Sequence, residues 1–98
     1  MTEKEKMEAG LWYDANNDQE LIDQRLVCQD LCFELNQLKP SDEKRNEIIE
    51  KILGYFPDDL VLLSPFTADY GKNIKLGKNV FVNINNYFMD GATIEIGD

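Results

Sequence analysis

The chain has 98 residues, enough for one ordinary domain and too few for two independent cores. Its 43% hydrophobic and 30% charged content marks a globular rather than a disordered chain. A formal net charge of −9 argues against nucleic acid as a partner, since phosphate binding needs a basic face, and no basic amphipathic helix offers itself to an anionic membrane.

No apolar run reaches the length of a membrane-spanning helix, and Met1-Thr2-Glu3-Lys4-Glu5-Lys6 does not read as a signal peptide. Cytoplasm is the expected compartment. Two cysteines do not make a disulfide framework. The sequence contains no histidine, which removes the commonest general base near neutral pH.

In chain order, Glu3 to Ala9 is rich in helix formers and Gly10 is a natural stop. Leu11-Trp12-Tyr13 is a compact apolar-aromatic cluster. Asp14 to Asp18 is turn material, with Asn17 or Asp18 placed to cap the next helix. From Gln19 to about Leu38, Leu21, Ile22, Leu26, Cys28, Leu31, Cys32, Leu35 and Leu38 recur at spacings of three and four, which predicts a second helix ended by Lys39-Pro40.

Ser41 is expected to cap a third helix, with Asp42 and Glu43 in the first turn, where the dipole favours negative charge. Ile48, Ile49, Ile52, Leu53 and Phe56 form its apolar face, and Pro57-Asp58-Asp59 breaks it. Leu60 to Leu63 is a short apolar run between turn signals and reads as a strand. The organisation is a helical segment over 1–59 and a repeating β segment over 60–98, an α+β arrangement.

The β segment carries a six-residue beat. Tyr70, Leu76, Val82, Phe88 and Ile94 recur at one interval, and Ile74, Val80, Asn86 and Ala92 form a second row in step. Gly71-Lys72-Asn73-Ile74 is echoed by Gly77-Lys78-Asn79-Val80. This periodicity predicts a hexapeptide β-solenoid, each rung repeating one short strand and one corner. Ile74-x-Leu76-Gly77 returns as Ile94-x-Ile96-Gly97 after twenty residues, where three strict hexads would give eighteen. The two extra residues are expected near Met89-Asp90-Gly91 as an outward loop, and insertions of that kind cluster on a binding face. Gly97-Asp98 reads as the opening of another rung, so the chain is expected to be part of a longer architecture. An open solenoid edge invites association, and the isolated chain is expected to be oligomeric or swapped.

Glu5-Lys6-Met7-x-Ala9-Gly10, Tyr13-Asp14 and the capped helical pair resemble the N-terminal cap of the maltose and galactoside O-acetyltransferases. Asp69-Tyr70-Gly71-x-Asn73-Ile74-x-Leu76-Gly77 and the closing Ile94-x-Ile96-Gly97-Asp98 resemble the first rungs of the same family, so the resemblance runs from Met1 to Asp98. It implies a left-handed parallel β-helix with a helical cap, assembled as a trimer. It also implies transfer of an acetyl group from acetyl-CoA to a sugar hydroxyl, with acetyl-CoA in the groove between adjacent solenoids. In the family a histidine beyond the Ile-Gly-Asp segment takes the hydroxyl proton. This sequence contains none, so the chain is expected to be the N-terminal portion of such an enzyme and inactive alone, with no catalytic residue of its own. The alternative is a non-catalytic solenoid or oligomerisation module, or a decayed gene product.

The resemblance also nominates acceptor-binding positions. Asp69 matches a polar acceptor contact and equally suits a turn that it would hydrogen-bond itself. Asn83 matches an acceptor-binding Asn and equally suits an internal Asn ladder. Phe81 stands at an acceptor-site aromatic position without a hydroxyl, which counts against the family's standard sugar. Asp90 matches an acidic acceptor contact or forms a turn-stabilising Asp-Gly. Asp14 and Asn16 face the same pocket from the cap or cap the helix. Trp12 and Tyr13 stack on a sugar ring or, as the stronger expectation, pack the cap onto the solenoid. Cys28 and Cys32, four apart on one helix face, are expected to be buried packing residues, since nothing completes a metal site around them.

Overall fold

The computed structural model describes residues 1–97. The expected rung opening at Gly97-Asp98 therefore lies partly outside the described residues. Three helices, α1 (Glu3–Glu8), α2 (Gln19–Gln37) and α3 (Lys44–Leu53), precede six short strands. The strands are β1 (Val61–Leu62), β2 (Phe66–Ala68), β3 (Ile74–Leu76), β4 (Phe81–Val82), β5 (Asn86–Phe88) and β6 (Ile94–Ile96). Among the described residues no helix is long and apolar enough to cross a membrane.

The helix boundaries follow local chemistry. Thr2 and Glu5 satisfy each other's backbone N–H groups as a capping box at 3.0 Å each, and Gly10 follows in the left-handed conformation at φ 76°. Asp18 caps α2 by accepting from Leu21 N at 3.1 Å. Ser41 does not cap α3: the N-cap position is Glu43, with no side-chain cap bond, and Asp42 instead accepts from Lys44 N at 2.9 Å. Residues 41–43 form a turn before the helix, which displaces the expected start by two residues.

On α2, Leu21, Cys28, Cys32 and Leu35 are buried as expected, but Leu26 is 52% exposed. Arg25 takes the inward place, four residues after Leu21 and three before Cys28. Ile48, Ile49, Ile52 and Leu53 bury the facing side of α3. With Leu62, Phe66, Ala68, Ile74, Leu76, Val80 and Val82 they form one continuous core between cap and solenoid.

The six strands make two coils of a triangular parallel solenoid. β1 pairs with β4, β2 with β5 and β3 with β6, each in parallel and each with partners twenty residues apart, as in Val61↔Phe81, Phe66↔Asn86 and Ile74↔Ile94. The pitch is therefore a constant twenty, and the expected local slip is corrected: the wide corner occurs in both coils, over 69–73 and again over 89–93. Asp59 and Asn79 occupy the left-handed region at φ 55° and 59°, one pitch apart, so the same corner is built twice. Gly71, at φ 79°, brings the wide corner against α3. A Cβ there would stand 2.4 Å from Ile52 O, so only glycine fits.

The cap does more than bury apolar area. Residues 61 and 63, like 69 and 77, turn their N–H groups to the second coil, so the alternate residues of the first coil face the cap. There side chains receive them. Arg45 Nη2 donates to Leu62 O at 2.9 Å, and Cys28 Sγ donates to Ala68 O at 3.3 Å. The Asn36 amide accepts from Phe66 N and donates to Phe66 O, both at 2.9 Å, as a paired strand would. The Tyr55 hydroxyl does the same for Leu76, accepting from N at 2.7 Å and donating to O at 3.1 Å. A strand edge that would otherwise template aggregation is closed by side chains from helices and their flanks.

Candidate functional site

The wide corner and the turn between α1 and α2 form a polar junction of cap and solenoid. Asp14 nucleates that turn: its Oδ1 accepts from Asn16 N at 3.2 Å and Asn17 N at 3.1 Å, and Oδ2 accepts from Asn17 Nδ2 at 3.2 Å. Arg25 ties the turn to the solenoid, donating from Nη2 to Ala15 O at 2.6 Å and from Nη1 to Tyr70 Oη at 2.9 Å. Its guanidinium carbon also lies 5.9 Å from the Tyr70 ring centroid. Tyr70 itself is buried with Met7 and Leu21, and burial, outweighing the Arg25 hydrogen bond, holds its hydroxyl above the usual tyrosine range.

Asp90 stands at the centre of the junction and is fully buried. The expectation of an outward, solvent-facing carboxylate is corrected: Oδ1 accepts from Tyr70 N at 2.7 Å and Oδ2 from Asn73 N at 3.2 Å. Asn73 Nδ2 returns a bond to Asp90 O at 2.7 Å. The physical reason is the widened corner itself. It leaves two backbone N–H groups of the first coil without ladder partners, and a carboxylate stacked one pitch above satisfies both.

Asp69 opens the same corner and accepts a short hydrogen bond from the Tyr87 hydroxyl on the outer side of β5. That bond is the main reason the Tyr87 phenol is held above its ordinary range, so it stays a donor and fixes the Asp69 carboxylate. Asn83 lies at the other end of the β2/β5 face, exposed. Its Oδ1 accepts from Ile84 N at 2.8 Å, and its carbonyl accepts from Asn86 Nδ2 at 2.7 Å. It forms no internal ladder, and Ile84 beside it is 53% exposed. Phe81 is exposed on the β1/β4 face beside its register partner Val61.

The structure thus brings Asp14 and Asn16 together in one turn and sets Asp69 and Asp90 on one corner. Phe81 and Asn83 stand elsewhere, on β4 and the corner after it. Tyr13 reaches the solenoid, its hydroxyl 2.8 Å from where a Cβ on Gly91 would be, while the residue stays 36% exposed. Trp12 does not: it is 98% exposed, because the turn needs only Tyr13 to reach the solenoid. Sequence reasoning passed over Arg25 and Tyr87. The signal for Arg25 was present, a cation set at helical spacing within an apolar stripe.

Residues 6–57, more than half of the chain, match the family model described as the maltose acetyltransferase hexapeptide capping motif. The chain belongs to this family. An inferred acetyltransferase of Staphylococcus aureus (strain MRSA252) is 58% identical over 95 residues, covering 96% of this chain and 48% of that protein. The solved maltose O-acetyltransferase of Clostridium difficile 630 superposes on the whole chain with TM-score 0.93 at 39% identity, over 52% of its own length. A hexapeptide-repeat acetyltransferase of Vibrio cholerae, solved with acetyl coenzyme A, does so with TM-score 0.84 at 32% identity, again over 52% of its length. The chain spans about half the length of these capping-family relatives.

That span decides what the described residues can hold. A coenzyme A pyrophosphate calls for cations, and the Phe81–Met89 run that supplies β4 and β5 by itself offers it none. At this junction the Asp69 carboxylate is held by the Tyr87 hydroxyl, and the Asp14 carboxylate is held by the backbone of its own turn.

Proposed function

We propose that a protein carrying this chain transfers an acetyl group from acetyl-CoA to a hydroxyl of a sugar acceptor. The chain supplies the helical cap over 1–59, the first two coils and the acceptor side of the site. The observation that carries this reading is the chain-long superposition on a maltose O-acetyltransferase at TM-score 0.93. Asp69, held by Tyr87, accepts a hydrogen bond from an acceptor hydroxyl, and Asn83 and the Asp14–Asn16 turn add polar contacts. Phe81 offers an apolar face without a hydroxyl. Asp90 acts at one remove, by fixing the corner that presents Asp69.

Asp69 and Asn83 sit at separate corners of one solenoid, and Phe81, Tyr87 and Met89 leave apolar surface exposed. This favours an assembly of copies, a trimer, in which corners of neighbouring solenoids face each other across a groove. Light scattering over a concentration series checks it, and a monomer at every concentration would count against it.

The test of function is coenzyme A release from acetyl-CoA with maltose or a galactoside as acceptor, measured for the 98-residue chain and for the full gene product. The chain alone, with no histidine to take the hydroxyl proton, is expected to stay at the buffer rate. The full product is expected to turn over, with Asp69→Ala raising KM for the acceptor. A full product that binds neither acetyl-CoA nor any sugar would sink the enzyme reading and leave a solenoid module.

A further inference from the structure

Cys28 and Cys32 are the only cysteines in the sequence, both free and buried, and the acceptor site uses neither. Their spacing on α2 places both sulfurs on one face, one turn apart. Cys28 Sγ donates to Ala68 O at 3.3 Å. Cys28 contributes to the wall of a cavity of about 470 Å³ bounded by α1, α2, the end of α3 and the Tyr70–Asn73 corner. Met7, Val27, Leu31, Ile52 and Tyr70 give that wall its apolar surface, and charged side chains such as Lys4, Glu8, Asp23, Lys51 and Lys72 also line it.

Two thiols so placed can bridge one soft centre, and three features of the surroundings select which. Among the described residues no group of three or more His, Cys, Asp and Glu side chains is placed to hold a metal, so a tetrahedral zinc lacks ligands. The neighbouring Cys32 thiol, burial, and the nearby Asp90 and Asp69 hold the Cys28 thiol above its usual range. A two-thiolate complex of a monovalent soft metal would leave net negative charge in that setting, whereas a centre bonded covalently to both sulfurs leaves none. The cavity, finally, has room and apolar surface for an organic substituent.

Trivalent arsenic bearing one aryl group and two hydroxyls meets all three conditions. We propose that Cys28 and Cys32 form a covalent capture site for aryl arsonous acids, the arsenic bridging both sulfurs and the ring lying in the cavity. In the reaction two S–H and two As–O bonds break and two As–S bonds form. Each thiol proton leaves with a hydroxyl as water. Arsenic stays trivalent, so no oxidant or reductant is needed.

The probe is phenylarsonous acid, added to the folded chain at neutral pH and followed by intact mass, then challenged with excess glutathione. One adduct per chain is expected, kept through the glutathione wash and stripped by dithiothreitol. Cys28→Ser and Cys32→Ser should each lose it to glutathione, with retention down by roughly 10²–10⁴ because the second As–S bond is intramolecular. Val27→Trp, which fills the cavity mouth from an exposed position and leaves both thiols in place, should slow capture and keeps the test open should a serine variant fail to fold. Serine variants that are folded and retain the adduct as well as the natural chain would overturn the site. So would capture that proceeds only at the hydrogen-exchange rate of the α2 amides, since then only the opened chain reacts.

Discussion

The two edges of the solenoid are finished differently. Along β1, β2 and β3 the cap-facing backbone groups of Leu62, Phe66, Ala68 and Leu76 are met by Arg45, Asn36, Cys28 and Tyr55. Along β4, β5 and β6, no further strand pairs among the described residues, and the second coil shows it. β2 and β3 bury their inward side chains, whereas those of β5 and β6 are only half-buried or exposed. The difference teaches that a solenoid end needs no cap strand. A few side chains with one donor and one acceptor, set on helices that also bury a core, do the same work.

The largest break in this comparison should come from Asp90, which joins the second coil to the first. Asp90→Ala removes the acceptor of two backbone N–H groups, the buried Tyr70 N and the part-buried Asn73 N. The expected loss is about 4 kcal/mol, a large share of the stability of a domain this size. Thermal or urea unfolding measures it, and Asp90→Asn, which keeps one acceptor, should recover part of the loss. A change under about 1 kcal/mol for the alanine variant would mean that water replaces the carboxylate and that the coils are held otherwise.

Next comes the finished edge itself. Asn36→Ala should cost about 2 kcal/mol, because it leaves Phe66 N and O without partners at a part-buried edge. Asn36→Asp separates the two bonds, since a carboxylate can accept from Phe66 N but cannot donate to Phe66 O. Tyr55→Phe removes the corresponding pair at Leu76, where the ring remains to pack, and about 1–2 kcal/mol is expected. If both variants also aggregate faster than the natural chain, the edge is a template that these side chains suppress.

How much of this was legible in the sequence divides along the same line. The helices were readable because their ends are written locally, in Gly10, in Asp18, and in Lys39-Pro40. The solenoid was readable because its core repeats, with Leu76 and Val82 buried where the beat put them. The edge-closing residues were not, because Asn36 and Tyr55 look like any polar residue in or after a helix, and their partners lie 30 and 21 residues away. Asp90 was misread for a related reason. Asp-Gly is a turn signal, and only the coil below, one pitch earlier, turns it into a buried clamp.

A further effect is confined to alkali. Burial raises the Tyr70 hydroxyl above the ordinary tyrosine value of 10.0. The unfolded chain therefore ionises first, so the contribution is intact below that value and is lost as pH rises through the folded one. Unfolding followed from neutral pH upward should show stability falling above about pH 10, with a shallower fall in Tyr70→Phe. Equal slopes for the two proteins would place the alkaline loss elsewhere.

The smallest effect should come from the most conspicuous side chain. Trp12 is 98% exposed and makes no contact that stabilises the junction, whereas Tyr13 beside it meets Gly91. Trp12→Ala is expected to change stability by no more than about 0.5 kcal/mol, against a clear loss for Tyr13→Ala. Because Trp12 is the only tryptophan in the sequence, its fluorescence reports the same point directly. In the isolated chain its emission should be that of a water-exposed indole, open to quenching by acrylamide. Blue-shifted, shielded emission at high protein concentration but not at low would show a second copy covering it. Shielding at every concentration would mean that the α1–α2 turn folds back onto the cap, and the junction would have to be redrawn with Trp12 inside it.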